Sequence, residues 1–172
     1  MALTLIKETG AGLANANAYA DVADGDAYHA GHLYASAWTA ATADQKAVAL
    51  VMATRLVDAE YQFGGTRALA AQALAWPRSD CRDPDAGEPV LATVVPKAVV
   101  AATCELAREL LITDRTAAPA GEGLKYQNAG SDQTGYDKAD RRPIIPAVVQ
   151  AFLAKYGSLI KTKSGAVQLL RV

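Results

Sequence analysis

The stretch TADQKAVALVMATRLVDAEYQFGG, residues 42–65, decides the fold because it predicts one long amphipathic helix. Thr42 and Gln45 fit a capping box, in which the Thr hydroxyl accepts from one unpaired backbone amide and the Gln reaches back to another. Glycine readily adopts the left-handed conformation that ends helices, so we expect the helix to stop at residues 63–65. Apolar side chains at three- and four-residue spacing indicate a core-facing stripe of Ala47, Leu50, Val51, Thr54, Val57 and Tyr61.

A second helix is predicted on the N-terminal side of this stretch. Asn17 or Asp21 can cap it, and it is expected to run to about Ala37. Gly25 and Gly31 each weaken it by about 1 kcal/mol. Its expected buried positions include Val22, Tyr28 and Leu33.

Two further helices are predicted on the C-terminal side, and each begins at a proline. Proline lacks a backbone N–H, but an N–H in the first turn of a helix has no partner within the helix. One begins at Pro96 and ends at Asp114, and the other begins at Pro146 and ends at Gly157. Alternating apolar residues over 3–9 predict a short strand. The fold class is therefore mainly α, a small bundle of about four helices with a minor β element.

Trp76, Pro77 and Arg78 follow a predicted helical turn over residues 70–75. Proline disfavours helical geometry in the residue before it, so Trp76 is expected to be extended and to plug the edge of the core. Arg78 has two open interpretations, a solvent-exposed position or a subunit interface, where arginine is enriched.

Charge is distributed unevenly along the 172 residues, although the net charge is only −1. Residues 141–172 contain six Lys or Arg and no acidic residue, whereas the first 140 hold 11 basic and all 18 acidic groups. Residues 158–172 alternate loosely in hydropathy and predict an extended C-terminal arm, with a disordered tail as the alternative. We therefore expect a helical domain over 1–157, with a flexible loop over 115–142, followed by the arm.

Composition weighs against several classes of protein. A near-neutral chain is atypical of a dedicated nucleic-acid binder, which usually carries a basic excess. No stretch approaches the ~20 apolar residues that cross a bilayer, and the first seven residues lack the pattern of a signal peptide, so we expect no membrane partner. Cys81 and Cys104 are expected to be reduced thiols.

Enzymatic chemistry finds no clear support in the sequence. Asp26, His29 and His32 share a helical spacing, but a zinc site needs a further ligand, and we expect partly exposed histidines instead. Neither cysteine lies in a local motif for a nucleophile with a histidine base. We therefore expect a protein that is not an enzyme and that uses no metal or cofactor.

Binding of single-stranded DNA needs a basic groove with aromatic stacking platforms. The long loop contains such a mixture in Tyr126, Tyr136, Arg141 and Arg142, and the arm adds cations that can follow a phosphate backbone, Lys161, Lys163 and Arg171. The acidic character of the first 140 residues weighs against this function. Single-stranded DNA binding therefore stays an alternative function.

Three segments resemble small tailed-bacteriophage proteins that are often labelled DnaT-like single-stranded DNA-binding and that are similar to head–tail connector (adaptor) proteins. The segments are ALTLIKETGAGLANANAYADVADGDAYHA (2–30), ATRLVDAEYQFGGTRALAAQALAWPRSD (53–80) and VVPKAVVAATCELARELL (94–111). The most specific piece combines YQFGGTR, residues 61–67, with LAWPR, residues 74–78.

The connector resemblance implies a structural virion protein at the head–tail interface, made in the host cytoplasm. It implies a ring, twelvefold like the portal, with the portal protein, other copies of the chain and a stopper or tail-completion protein as partners, and with possible lumen contact to packaged DNA. It also implies an arm that docks into the portal. An arm without carboxylates can lie against an acidic wall without repulsion, and its apolar residues can add a strand to a partner sheet.

The predicted site residues fall into two groups, and the resemblance supplies no catalytic residue. The partner-binding group on the arm is Leu159, Ile160, Lys161, Lys163, Leu169, Leu170 and Arg171. The subunit-interface group is Arg78, Tyr126, Tyr136, Arg141 and Arg142.

Overall fold

The computed structural model describes residues 3–118, 126–129, 132–135 and 142–160, in which five helices form the framework. The helices are α1 (Val22–Ala30), α2 (Ser36–Thr39), α3 (Ala43–Glu60), α4 (Lys97–Ile112) and α5 (Ala147–Leu153). The strands are β1 (Tyr61–Phe63), β2 (Thr66–Arg67), β3 (Arg78–Ser79), β4 (Tyr126–Ala129), β5 (Asp132–Gly135) and β6 (Gly157–Leu159). α4 packs against both α3 and α5 and so lies at the centre. The predicted helical framework is present. The described residues contain five helices where about four were predicted, and they form more β pairs than the single minor element that was predicted.

α3 confirms the predicted capping box. Thr42 Oγ1 accepts from the backbone N–H of Gln45 at 3.3 Å, and Gln45 Oε1 accepts from the backbone N–H of Thr42 at 2.9 Å. The helix ends at Glu60, before the predicted stop, because residues 61–63 leave it to form β1. The predicted stripe is buried except for the half-buried Ala47, and its buried members are Leu50, Val51, Thr54, Val57 and Tyr61.

The single helix predicted up to about Ala37 is in fact two, α1 and α2. Asp21 caps α1 as predicted, and its carboxylate accepts a backbone N–H of the first turn. Trp38 of α2 packs directly on Gly25, where any Cβ would clash with the indole ring. Leu33 was expected to be buried but is 85% exposed, because it lies in the connection between the two helices.

α4 and α5 begin directly after Pro96 and Pro146, as predicted. α4 ends within two residues of the predicted Asp114. α5 is shorter than predicted because the chain turns after Leu153 and Gly157 enters β6.

The helical turn predicted over residues 70–75 is wrong, because these residues form irregular turns around Gln72. The buried Gln72 amide accepts from the N–H of Leu69 at 2.9 Å and donates to the carbonyls of Leu74 and Pro77 at 2.8 and 3.0 Å. A side chain therefore replaces the helical hydrogen bonds that local propensity favours.

The strands form three two-stranded antiparallel sheets within the described residues: β1 with β6, β2 with β3, and β4 with β5. Part of the expected flexible loop over 115–142 instead forms the β4–β5 hairpin, with Tyr126 opposite Gly135. The strand predicted over residues 3–9 is reduced to one bridge, between Lys7 and Ala18.

Trp76 is fully buried, which confirms that it plugs the core. The rings of Phe63 and Tyr156 pack edge-on against it, each with its centroid 5.6 Å away. The Trp76 backbone N–H donates to the Tyr19 hydroxyl at 3.2 Å, and that hydroxyl donates to Asp58 at 2.5 Å. Burial raises the pKa of both Tyr19 and Asp58.

Candidate functional site

Arg78 is held inside its own subunit. Its guanidinium donates at 2.6–3.3 Å to the backbone carbonyls of Phe63, Gly64, Gly65 and Ala75. Gly65 has a φ of +65°, and a Cβ there would clash with the backbone of Ser79, so this turn needs glycine. Arg78 thus ties the YQFGG turn to β3, which gives the YQFGGTR and LAWPR combination a structural reason. Its role in a subunit interface stays a prediction.

An open cleft of about 820 Å³ lies where the chain enters and leaves the segment 119–141. Its walls are residues 113–118 and 142–145 together with Glu60, Gln150 and Leu159, and we call it the exit cleft. Because Leu159 is the last residue of β6, the C-terminal residues also begin at this cleft. The long loop and the C-terminal segment, both with predicted binding functions, therefore start from the exit cleft.

Arg115 fixes the shape of the exit cleft. Its Nε and Nη2 donate to the carbonyls of Ile144 and Pro143 at 2.9 and 2.7 Å, and its Nη1 lies 3.2 Å from Glu109 Oε2. These bonds join the two ends of the long loop. Burial lowers the pKa of Arg115, whereas Arg142 is exposed among the lining residues. Arg142 is therefore the cation of the cleft that a ligand can reach.

A second depression, of about 490 Å³, lies between the first half of α3 and the end of α4. We call it the apolar groove; its floor and rim include Val48, Met52, Leu110, Leu111, Asp44 and Asp114. Val48 is 54% exposed there. The groove shares Asp114 and Thr116 with the exit cleft, so the two depressions adjoin at these residues. Val48 and Met52 lie four residues apart in the sequence and outside the predicted core stripe. This spacing places two apolar side chains on one exposed face of α3, so the groove could have been predicted from the sequence.

The beginning of the predicted arm belongs to the folded body. Leu159 lies opposite Tyr61 in the β1–β6 sheet and is half-buried against the core. The N–H of Ile160 donates to the carbonyl of Glu60 at 2.8 Å, and its side chain is exposed. The remaining predicted arm residues lie outside the described residues: Lys161, Lys163, Leu169, Leu170 and Arg171. Of the interface group, Tyr126 starts β4, whereas Tyr136 and Arg141 also lie outside the described part.

Many cations of the body already contact carboxylates at 2.5–2.8 Å. The pairs are Lys7–Asp24, Lys46–Asp26, Lys155–Asp85, Arg108–Glu105 and Arg108–Glu109. The hydrogen bond from Lys46 lowers the pKa of Asp26, in keeping with a formed ion pair. A phosphate would have to compete with these carboxylates for the same cations.

Of the two histidines expected to be partly exposed, His32 is so and His29 is not. His29 is buried, with Nε2 3.1 Å from the Cys104 carbonyl and its ring centroid 4.8 Å from that of Trp38, and burial lowers its pKa. His32 is half-buried, with Nε2 3.5 Å from the buried Glu105. Burial raises the pKa of Cys104 to about 12, so its thiol is protonated and a weak nucleophile at neutral pH.

Two kinds of site are not found in the part of the chain that the structure describes. No group of three His, Cys, Asp or Glu side chains converges there as a metal site. None of the helices there combines the length and the hydrophobicity that spanning a membrane requires.

A known family matches the chain along residues 3–172, under the description "Putative DnaT-like ssDNA binding protein". The chain belongs to this family. No curated protein and no solved structure matches it.

The family match extends over the exit cleft, the apolar groove and the C-terminal residues. Its description corresponds to the alternative function expected from the sequence, single-stranded DNA binding, and supports it better than the connector function. The description does not mention a phage connector, so that function stays a prediction.

Proposed function

We propose that this chain binds single-stranded DNA through the exit cleft and residues 160–172. The observation that carries the proposal is the family match over residues 3–172. The cleft adds a location, because the exposed Arg142 and the start of the C-terminal segment meet there. That segment contributes three cations and no carboxylate: Lys161, Lys163 and Arg171.

Electrostatics restricts this binding to one end of the molecule. The first 140 residues hold 18 acidic and 11 basic groups, so most of the body repels a polyanion. Each phosphate contact with single-stranded DNA contributes about 0.7 to the slope of log affinity against log salt. Four contacts, from Arg142 and the three C-terminal cations, give a slope of roughly −2.8.

Aromatic side chains would add affinity without sequence preference. Tyr126 opens β4, and Tyr136 follows β5 directly in sequence, so both belong to the loop that starts at the exit cleft. Stacking of a base on an aromatic ring contributes about 1–3 kcal/mol and tolerates every base. We therefore expect binding that depends on single-strandedness and little on sequence.

Neutralising the C-terminal cations tests the proposal. In the variant K161Q/K163Q/R171Q we expect the affinity for a dye-labelled oligo(dT) to fall at least tenfold at 50 mM salt, measured by fluorescence anisotropy. The matched control R55Q/R82Q/K97Q removes three exposed cations from other parts of the body, and we expect less than a threefold loss. Equal losses in the two variants would contradict the proposed site.

A head–tail connector subunit is the second candidate function, and exposed apolar side chains favour it. Leu33 and Tyr34 are adjacent in the chain and are 85% and 71% exposed, and contiguous exposed apolar groups are typical of protein–protein interfaces. In this proposal copies of the chain form a ring that contacts the portal protein and a stopper or tail-completion protein in the virion. Under either proposal the chain works by binding, without catalysis or a cofactor.

Imaging of the neck of mature virions tests the connector proposal. A ring of this chain between portal and tail is the expected result, together with weak retention of oligonucleotides by the isolated protein. A neck reconstruction without this polypeptide would contradict it.

A further inference from the structure

The apolar groove leaves hydrophobic side chains uncovered beside the start of the C-terminal segment. Val48 is 54% exposed on its floor, and Met52, Leu110 and Leu111 are partly buried there. The groove adjoins the exit cleft, where β6 ends, at Asp114 and Thr116. We propose that residues 161–172 dock in the apolar groove of their own chain.

The length of this segment matches the path. The Ile160 amide donates to the Glu60 carbonyl, which fixes the start of the segment at the C-terminal end of α3. Val48 lies about three turns earlier on the same helix, roughly 18 Å along its axis. Leu169 is nine residues beyond Ile160, so an extended chain reaches about 30 Å. The extended segment is therefore longer than the path back along α3 to the groove.

The chemistry of the segment complements that of the groove along this path. Lys161 and Lys163 come first and would pass the exit cleft, whose walls carry the carboxylates of Glu60 and Asp114. Apolar residues follow and would cover the floor of the groove: Val167, Leu169 and Leu170. Arg171 comes after them and would reach the exposed Asp44 at the far rim.

A docked segment also bears on nucleic-acid binding. Lys161 and Lys163 paired with the carboxylates of the cleft would be less available to a DNA phosphate, so docking would compete with DNA binding. Docking itself does not depend on the proposed function, and its test is made without DNA.

Disulfide trapping in the full-length chain tests the docking. Val48→Cys combined with Leu170→Cys places one thiol in the groove and one on the segment. The control combines Leu170→Cys with Leu91→Cys, because Leu91 is 69% exposed and outside the groove. Cys81 and Cys104 are buried and stay in both variants. Mild oxidation at sub-micromolar protein is followed by gel mobility and peptide mass spectrometry.

We expect the intramolecular disulfide between positions 48 and 170 to form at least tenfold faster than the control bond, because docking holds position 170 beside position 48 and so raises its effective concentration there. Similar rates in the two variants would overturn the proposal. A disulfide-linked dimer in place of the intramolecular bond would also overturn it, since the groove would then hold the segment of a second copy.

Discussion

Replacing Trp76 by alanine is expected to lower the free energy of unfolding by about 3–5 kcal/mol, the usual effect of deleting a buried aromatic side chain. Trp76 is fully buried between Phe63 and Tyr156 and so joins β1 to the turn before β6. The cavity left by the indole cannot collapse easily, because backbone hydrogen bonds to Tyr19 and Asp58 hold this turn in place. Urea unfolding followed by circular dichroism measures the change.

Leu91→Ala is the control for Trp76→Ala, because Leu91 is also large and apolar but mostly exposed. We expect its effect to stay within about 0.5 kcal/mol. A loss below about 1 kcal/mol in Trp76→Ala would mean that the aromatic cluster is not the core that the structure describes.

Glu8→Ala is expected to cost about 3 kcal/mol or more, because it leaves three backbone N–H groups without their acceptor at about 1–3 kcal/mol each. The Glu8 carboxylate is almost fully buried and accepts from Gly10, Gly12 and Leu13 at 2.7–2.9 Å. The Leu13 carbonyl in turn accepts from the N–H of Ala73, so the N-terminal loop supports the turn that leads to Trp76.

The neighbouring Thr9→Ala is the matched control for Glu8→Ala, because Thr9 is exposed in the same loop. Thermal unfolding should show a large decrease in Tm for Glu8→Ala and almost none for Thr9→Ala. Equal Tm values for the two variants would show that the buried carboxylate does not organise the loop.

The helices were predictable because their signals are local. The Thr42–Gln45 capping box, the stripe along α3 and the prolines before α4 and α5 all act within a few residues. The sequence marked Gly31, where α1 ends, only as a weak point, and it could not reveal that Trp38 of α2 packs on Gly25 of α1. The buried polar side chains of Glu8 and Gln72 were missed, because their partners are backbone groups of irregular turns.

The candidate site was predictable only in part. Charge along the chain pointed to the C-terminal segment, and the long loop contained the aromatic and basic residues proposed to contact DNA. Tertiary structure alone brings the two segments to one cleft. The same is true of the bonds through which Arg115 shapes that cleft. The sequence left Arg78 open between solvent exposure and a subunit interface, and could not show that its donors bond to carbonyls that only the folded YQFGG turn brings together.

The salt dependence of oligonucleotide affinity shows whether the C-terminal cations contact DNA phosphates. Affinity of the full chain for an unstructured single-stranded oligonucleotide is measured between 50 and 200 mM salt, beside K161Q/K163Q/R171Q. We expect a slope of log affinity against log salt of roughly −2.8 for the full chain and about −0.7 for the variant, since only the Arg142 contact remains. No binding at 50 mM salt, or the same slope for both proteins, would contradict the proposed DNA-binding site.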